Sequence, residues 1–176
     1  DKDTKGSLIV ERGAKIYANG TRTAPIVFTS NQPAGSRTYG DWGGVILCGK
    51  APVNWNGGQS QVEGGPRSLY GGTDAHDNTG RMTYVRIEFP GVAFSPNNEI
   101  NGLTLCGLGD ATQIDHIQVS YSGDDGYEFF GGRVNTKYMV AYRSWDDDFD
   151  TDNGYQGKNQ FGFVVRDPYA GDGSGS

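Results

Sequence analysis

Short apolar runs alternate with polar turns along the whole chain. Leu8-Ile-Val10, Ala14-Lys-Ile-Tyr17, Ile26-Val-Phe28, Val45-Ile-Leu-Cys48, Tyr84-Val-Arg-Ile-Glu-Phe89 and Leu103-Thr-Leu-Cys106 are each strand-length, and no stretch carries a helical period. From Ile117 to Val165 the pattern repeats. Ser122-Gly-Asp-Asp-Gly-Tyr-Glu128 recurs as Ser144-Trp-Asp-Asp-Asp-Phe-Asp150, an offset of 22 residues. The same offset carries Ile117 to Met139 to Phe161, Val119 to Ala141 to Phe163, and Gly132 to Gly154. Period 2 within a segment marks a strand, and a fixed longer period between segments marks a solenoid. The reading is all-β, a parallel β-helix of about four to five coils, with inward side chains stacked at about the 4.8 Å strand spacing.

Taken alternately, the strands predict two stacked sheets. One holds Ile26–Phe28, Val85–Phe89, Ile117–Ser120, Met139–Tyr142 and Phe161–Val164. The other holds Val45–Cys48, Leu103–Cys106, Tyr127–Phe130 and Phe149–Asp152, and Ala14–Tyr17 supplies a weaker third face. Phe161 and Phe163 are expected in the core. Trp42 is expected to pack at a coil corner, and Asn19-Gly-Thr21 reads as a turn. Residues 1–170 form one domain in this reading, with 171–176 as a flexible tail. Residues 54–82, poor in apolar side chains, form a loop excursion of the kind that is functional or mobile.

Several of these stretches have a familiar look. Ile117-Gln-Val-Ser-Tyr-Ser-Gly-Asp-Asp-Gly-Tyr-Glu-Phe-Phe-Gly-Gly132, Asp146-Asp-Asp-Phe-Asp-Thr-Asp-Asn-Gly154, Pro25-Ile-Val-Phe-Thr-Ser30, Gly40-Asp-Trp-Gly-Gly44 and Ser95-Pro-Asn-Asn-Glu-Ile-Asn-Gly102 stand out. Together they resemble a family of Bacteroidota surface lipoproteins and secreted proteins with a right-handed, pectate-lyase-like parallel β-helix. The resemblance implies an extracellular or outer-membrane surface location, with the chain lipid-anchored or secreted in its full-length form. It implies no fixed activity. Members tend to be longer, so the chain reads as incomplete at both ends.

Composition narrows the partners. The chain of 176 residues has 29 Gly, 12% aromatic residues and a net charge of −6. That glycine content fits many tight turns, and the acidic balance argues against nucleic acid. No apolar run reaches the length of a membrane span, about 20 residues. A leader is not expected in a mature exported chain.

The acidic repeat is the main candidate for chemistry. Stacked one coil apart, Asp124, Asp125, Asp146, Asp147 and Asp148 would repel, and a hard cation bound through oxygen would relieve them. Calcium is therefore the candidate cofactor, with Asp150 and Asp152 as outer ligands; Glu128 is matched by Asp150 in the repeat. The alternative is that these Asp side chains cap turns or face water. Trp145, Tyr127, Tyr155 and Arg143 are candidate ligand-binding residues, with Trp55 and Tyr70 as further aromatics beside polar segments. The partner is then a glycan or a cell-surface protein. Many β-helices similar to this one are polysaccharide lyases or hydrolases, for which Arg133, Lys137, Lys158 and Arg143 are candidate bases. A purely structural role in a surface assembly is the third reading. Cys48 and Cys106 fall on neighbouring rungs, where direct stacking suits a disulfide poorly. His76 and His116 lack zinc-ligand spacing.

Overall fold

The computed structural model describes residues 3–64, 67–95 and 98–171. The chain makes five successive passes through two large parallel sheets. The first pass is β1 (Ser7–Val10), β2 (Ile16–Asn19) and β3 (Ile26–Phe28); the second is β4 (Gly44–Cys48) and, after an excursion, β7 (Gly80–Glu88). Within the excursion, β5 (Gln59–Gln61) and β6 (Leu69–Gly71) form an antiparallel hairpin. A second hairpin, β8 (Ala93–Ser95) with β9 (Asn98–Glu99), precedes the third pass. The last three passes are β10 (Leu103–Cys106) with β11 (Gln113–Ser120), β12 (Tyr127–Phe130) with β13 (Asn135–Tyr142), and β14 (Phe149–Asp152) with β15 (Asn159–Val165).

One sheet runs β1-β4-β10-β12-β14; the other runs β15-β13-β11-β7-β2, with β3 also on β7. Each long strand of the second sheet is two short ones joined at a hinge. Halfway along β7, Tyr84 has a φ of 49°. On one side of it Ile16–Asn19 pair with Gly80–Thr83; on the other Ile26–Phe28 pair with Val85–Ile87. His116, Tyr138 and Phe161 hinge the next strands in the same way, with φ of 53°, 56° and 63°. The first halves of these strands are the third face that the sequence showed only weakly at Ala14–Tyr17.

The core lies between the sheets. Val45, Leu47, Leu103, Leu105, Tyr127 and Phe129 on one side meet Val85, Ile87, Ile117, Val119, Met139 and Ala141 on the other. A fully buried side chain of this size stabilises by about 1.5–3 kcal/mol, so the rungs hold one another through these rows.

Two expectations need correction. Tyr127 to Phe149 and Ile117 to Met139 keep the 22-residue offset, but Met139 pairs with Gly162, one residue further on. The extra residue moves Phe161 from the core row to the hinge. Phe161 and Phe163 are therefore exposed, at 55% and 62%. The excursion is also not a free loop. Val62 and Tyr70 cover the outer face of the first sheet, closing a second apolar cluster with Ile46, Cys48, Ile100, Cys106 and Phe130. Asn153 Nδ2 donates to the Tyr70 hydroxyl at 2.8 Å, tying excursion to rung.

Trp42 packs as expected, and its Nε1 donates to the Glu88 carbonyl. Cys48 and Cys106 are in register, buried and free. Of the predicted tail, only Gly171 lies within the described residues.

Candidate functional site

The corners between β11 and β12 and between β13 and β14 carry the two acidic repeats. Backbone bonds stack one corner on the other: Gly126 N donates to Asp147 O and Trp145 N to Ser122 O. A Cβ on Gly126 would crowd the Ser144 hydroxyl and the Asp148 carbonyl, so glycine allows this approach. The Asp147 N–H donates to the Asp125 carboxylate at 2.8 Å, fixing Asp125 beneath the next corner.

Two carboxylate groups result, each with ligand atoms within 4.8 Å of one another: Asp124, Asp125 and Asp146, and Asp125, Glu128 and Asp150. Asp125, 7% exposed, belongs to both. Burial first, then the neighbouring Asp124, Asp146 and Asp150, push its carboxyl up to about 8, against the pull of the Asp147 N–H. Glu128 is pushed up to about 11 by burial first and then by the neighbouring Glu63, Asp125 and Asp150. Asn101 donates to both Glu63 and Glu128. Removing charged groups from water favours their neutral forms, and like charges add to that. A cation would replace the protons.

The structure sorts the predicted ligands. Asp124 and Asp146 meet Asp125 in one group, and Asp150 meets it in the other. Asp147, Asp148 and Asp152 stand outside both groups. Asp148 is bound by Arg166 at 3.0 Å, and Asp152 accepts the Asn153 N–H. Glu128, matched to Asp150 in the repeat but not among the predicted ligands, joins the second group.

The aromatic candidates also divide. Trp145 is 40% exposed and packs against Tyr39 at 5.4 Å. Arg143 lies over the Tyr142 ring at 5.4 Å and 3.6 Å from Asp167. Tyr127 is a correction: it is 0% exposed, and its hydroxyl sits between the Ile117 and Val140 carbonyls, either of which accepts its one proton. An inward position on β12 leaves it no face for a ligand. Tyr155 closes the core against Phe129 at 4.7 Å and donates to the Val134 carbonyl. Among the other aromatics, Tyr70 is buried and Trp55 is exposed. Arg133 lies 3.8 Å from Asp110, which also holds His76. Lys137 and Lys158 line a polar groove with Asn135, Asn159 and Gln160.

One surface feature was not anticipated. The hinge residues Tyr84, His116, Tyr138 and Phe161 stack in one ladder, with ring centroids 4.3, 4.5 and 4.9 Å apart. Asp115 holds the His116 Nδ1 at 2.8 Å. Burial raises the Asp115 carboxyl, but hydrogen bonds from Thr83, His116 and Gln113 outweigh it and leave it below the usual range. The ladder walls an open groove of about 510 Å³. The sequence signal was an aromatic or imidazole ring just before each inward pair, at Tyr84, His116 and Tyr138.

Stacked parallel strands, a core between two sheets and carboxylates collected at one corner define a parallel β-helix module. The chain matches the pectate-lyase-like beta helix domain family over residues 1–174, and it belongs to that family. No curated protein and no solved structure matches it. Among the described residues, no helix is long and apolar enough to cross a membrane.

Proposed function

We propose that this chain is a polysaccharide-binding module working outside the cell or on an outer-membrane surface, with calcium at its acidic corner. The observation that carries the reading is a set of close carboxylates, with Asp125 and Glu128 buried, on corners that also carry the exposed indole of Trp145. Asp124, Asp125, Asp146, Glu128 and Asp150 supply the oxygen donors that calcium takes. Trp145 and Arg143 offer a ring and a guanidinium to a sugar chain beside them. The family's description as pectate-lyase-like supports a polysaccharide context.

The test is a thermal melt with EDTA and with added calcium. A cation that binds only the folded state raises the midpoint by mass action, by about 2.7 kcal/mol at a hundredfold excess over Kd. The expected result is a calcium-dependent rise lost in Asp125→Asn. An unchanged midpoint would remove calcium from the proposal. Incubation with polysaccharides, read by viscosity and by new reducing ends, distinguishes binding from cleavage. The expectation is retention without cleavage.

A further inference from the structure

The ladder groove lies on the bend of the second sheet, and its lining shares no residue with the acidic corner. Its floor is the outward row Arg86, Gln118, Val140 and Phe163, which are in register on β7, β11, β13 and β15. Its wall is the ring ladder, and Arg22, in the turn between β2 and β3, closes one end. In a protein of net charge −6, no Asp or Glu is among the described residues lining this groove, while two guanidiniums are.

Two further facts limit what fits. The ring faces inside the ladder are covered by their neighbours, so they present edges. Apolar exposure is greatest at the far end, where Phe161 and Phe163 are 55% and 62% exposed, with Tyr138 next to them at 47%. The groove is therefore cationic at one end, polar in the middle at Gln118 and aromatic at the other. It crosses four rungs, so an occupant must be extended along the stack. A small anion would use only the Arg22–Arg86 end, and an apolar ligand would make no use of either guanidinium.

We infer that this groove is a second binding site, for an extended sugar chain bearing carboxylate or sulfate groups. Its acidic groups meet Arg22 and Arg86, Gln118 bonds a hydroxyl, and a C–H-rich sugar face packs on Phe163. The inference rests on the polysaccharide reading above but not on its calcium corner. Arg86 is also held by Glu88 at 2.7 Å, which fixes its guanidinium on the floor.

The experiment is affinity electrophoresis in EDTA, so that calcium bridging at the corner contributes nothing. The probes are alginate, a sulfated galactan and the neutral polymer hydroxyethyl cellulose. The expected result is retardation by the acidic polymers, weakened by added salt, with little effect of the neutral one. The double variant Arg22→Gln with Phe163→Ala alters two exposed side chains and lowers the association constant at least tenfold, with an unchanged melting midpoint. Gln118→Glu, which puts a carboxylate on the floor, does the same. Trp145→Ala does not. If retardation persists in the groove variants and is lost in Trp145→Ala, the groove is not the site and the polysaccharide reading stands. Equal retardation by the neutral polymer overturns the requirement for acidic groups. If no polymer is retarded, with or without calcium, the polysaccharide reading fails and takes the groove with it.

Discussion

At the scale of single residues, Asp125 and Glu128 together set how the corner responds to pH. The folded Asp125 carboxyl holds a proton up to about 8, far above an unfolded Asp. The folded state thus binds more protons than the unfolded one between about pH 4 and 8, and stability falls as pH rises through that window. Glu128 extends the decline upward, since its carboxyl is pushed up to about 11. Denaturant melts in EDTA should accordingly show lower stability at pH 9 than at pH 5. Asp125→Asn should flatten the slope, and calcium should reverse it, binding more tightly at pH 9 as the competing protons leave. A slope unchanged in Asp125→Asn would assign the effect to other groups. The repeat made Asp125 legible in the sequence, because two matched acidic strings one coil apart must bring carboxylates together. It did not distinguish Asp148, whose partner Arg166 lies outside the repeat.

Among the elements, the hinged strands were the least legible. Left-handed backbone at Tyr84, His116, Tyr138 and Phe161 costs about 1–2 kcal/mol per residue. Each stacked ring pair offsets about 0.5–1.5 kcal/mol of that, so packing on either side of the hinge must supply the rest. None of the four is glycine, so the usual marker of a left-handed bend is missing, and only the ring before each inward pair signals it. The sequence consequently read β7, β11 and β13 as one face each where they form two. The excursion was misread for a related reason: Val62 and Tyr70 are few, yet they land on a face already made apolar by Ile46 and Cys106. Tyr70→Phe leaves the buried Asn153 amide without its partner and should cost about 1–3 kcal/mol in denaturant melts. Gly80→Ala should cost at least as much, because φ is 106° and a Cβ would overlap the Ile16 carbonyl. A neutral result for Gly80→Ala would mean that β2 can move off β7 freely.

For the whole molecule, stability is a sum of rungs and of the contacts between neighbours. The middle rungs are covered on both sides, and β10 and β12 are buried at every position. β15 is exposed along nearly its whole length. Native-state hydrogen exchange should therefore rank β10 and β12 as most protected, with β15 opening at a small fraction of the global free energy. Uniform protection across all five passes would show that the rungs unfold together. Sheet membership was readable at this scale because each rung repeats the last; handedness and closure are not features that a repeat length encodes.

The first pass differs from the others at the hinge. Residues 20–25 stand between β2 and β3 where β7 has Tyr84 alone, yet both halves keep their register on β7. The bend thus accepts anything from one residue to a short loop without disturbing the rows beneath it. It is a socket in the architecture. Peptides grafted at His116 or Tyr138 would project in a line spaced by the strand repeat, along the lip of the groove. A lineage that changed only these bends would acquire new recognition surfaces while its core stayed the same.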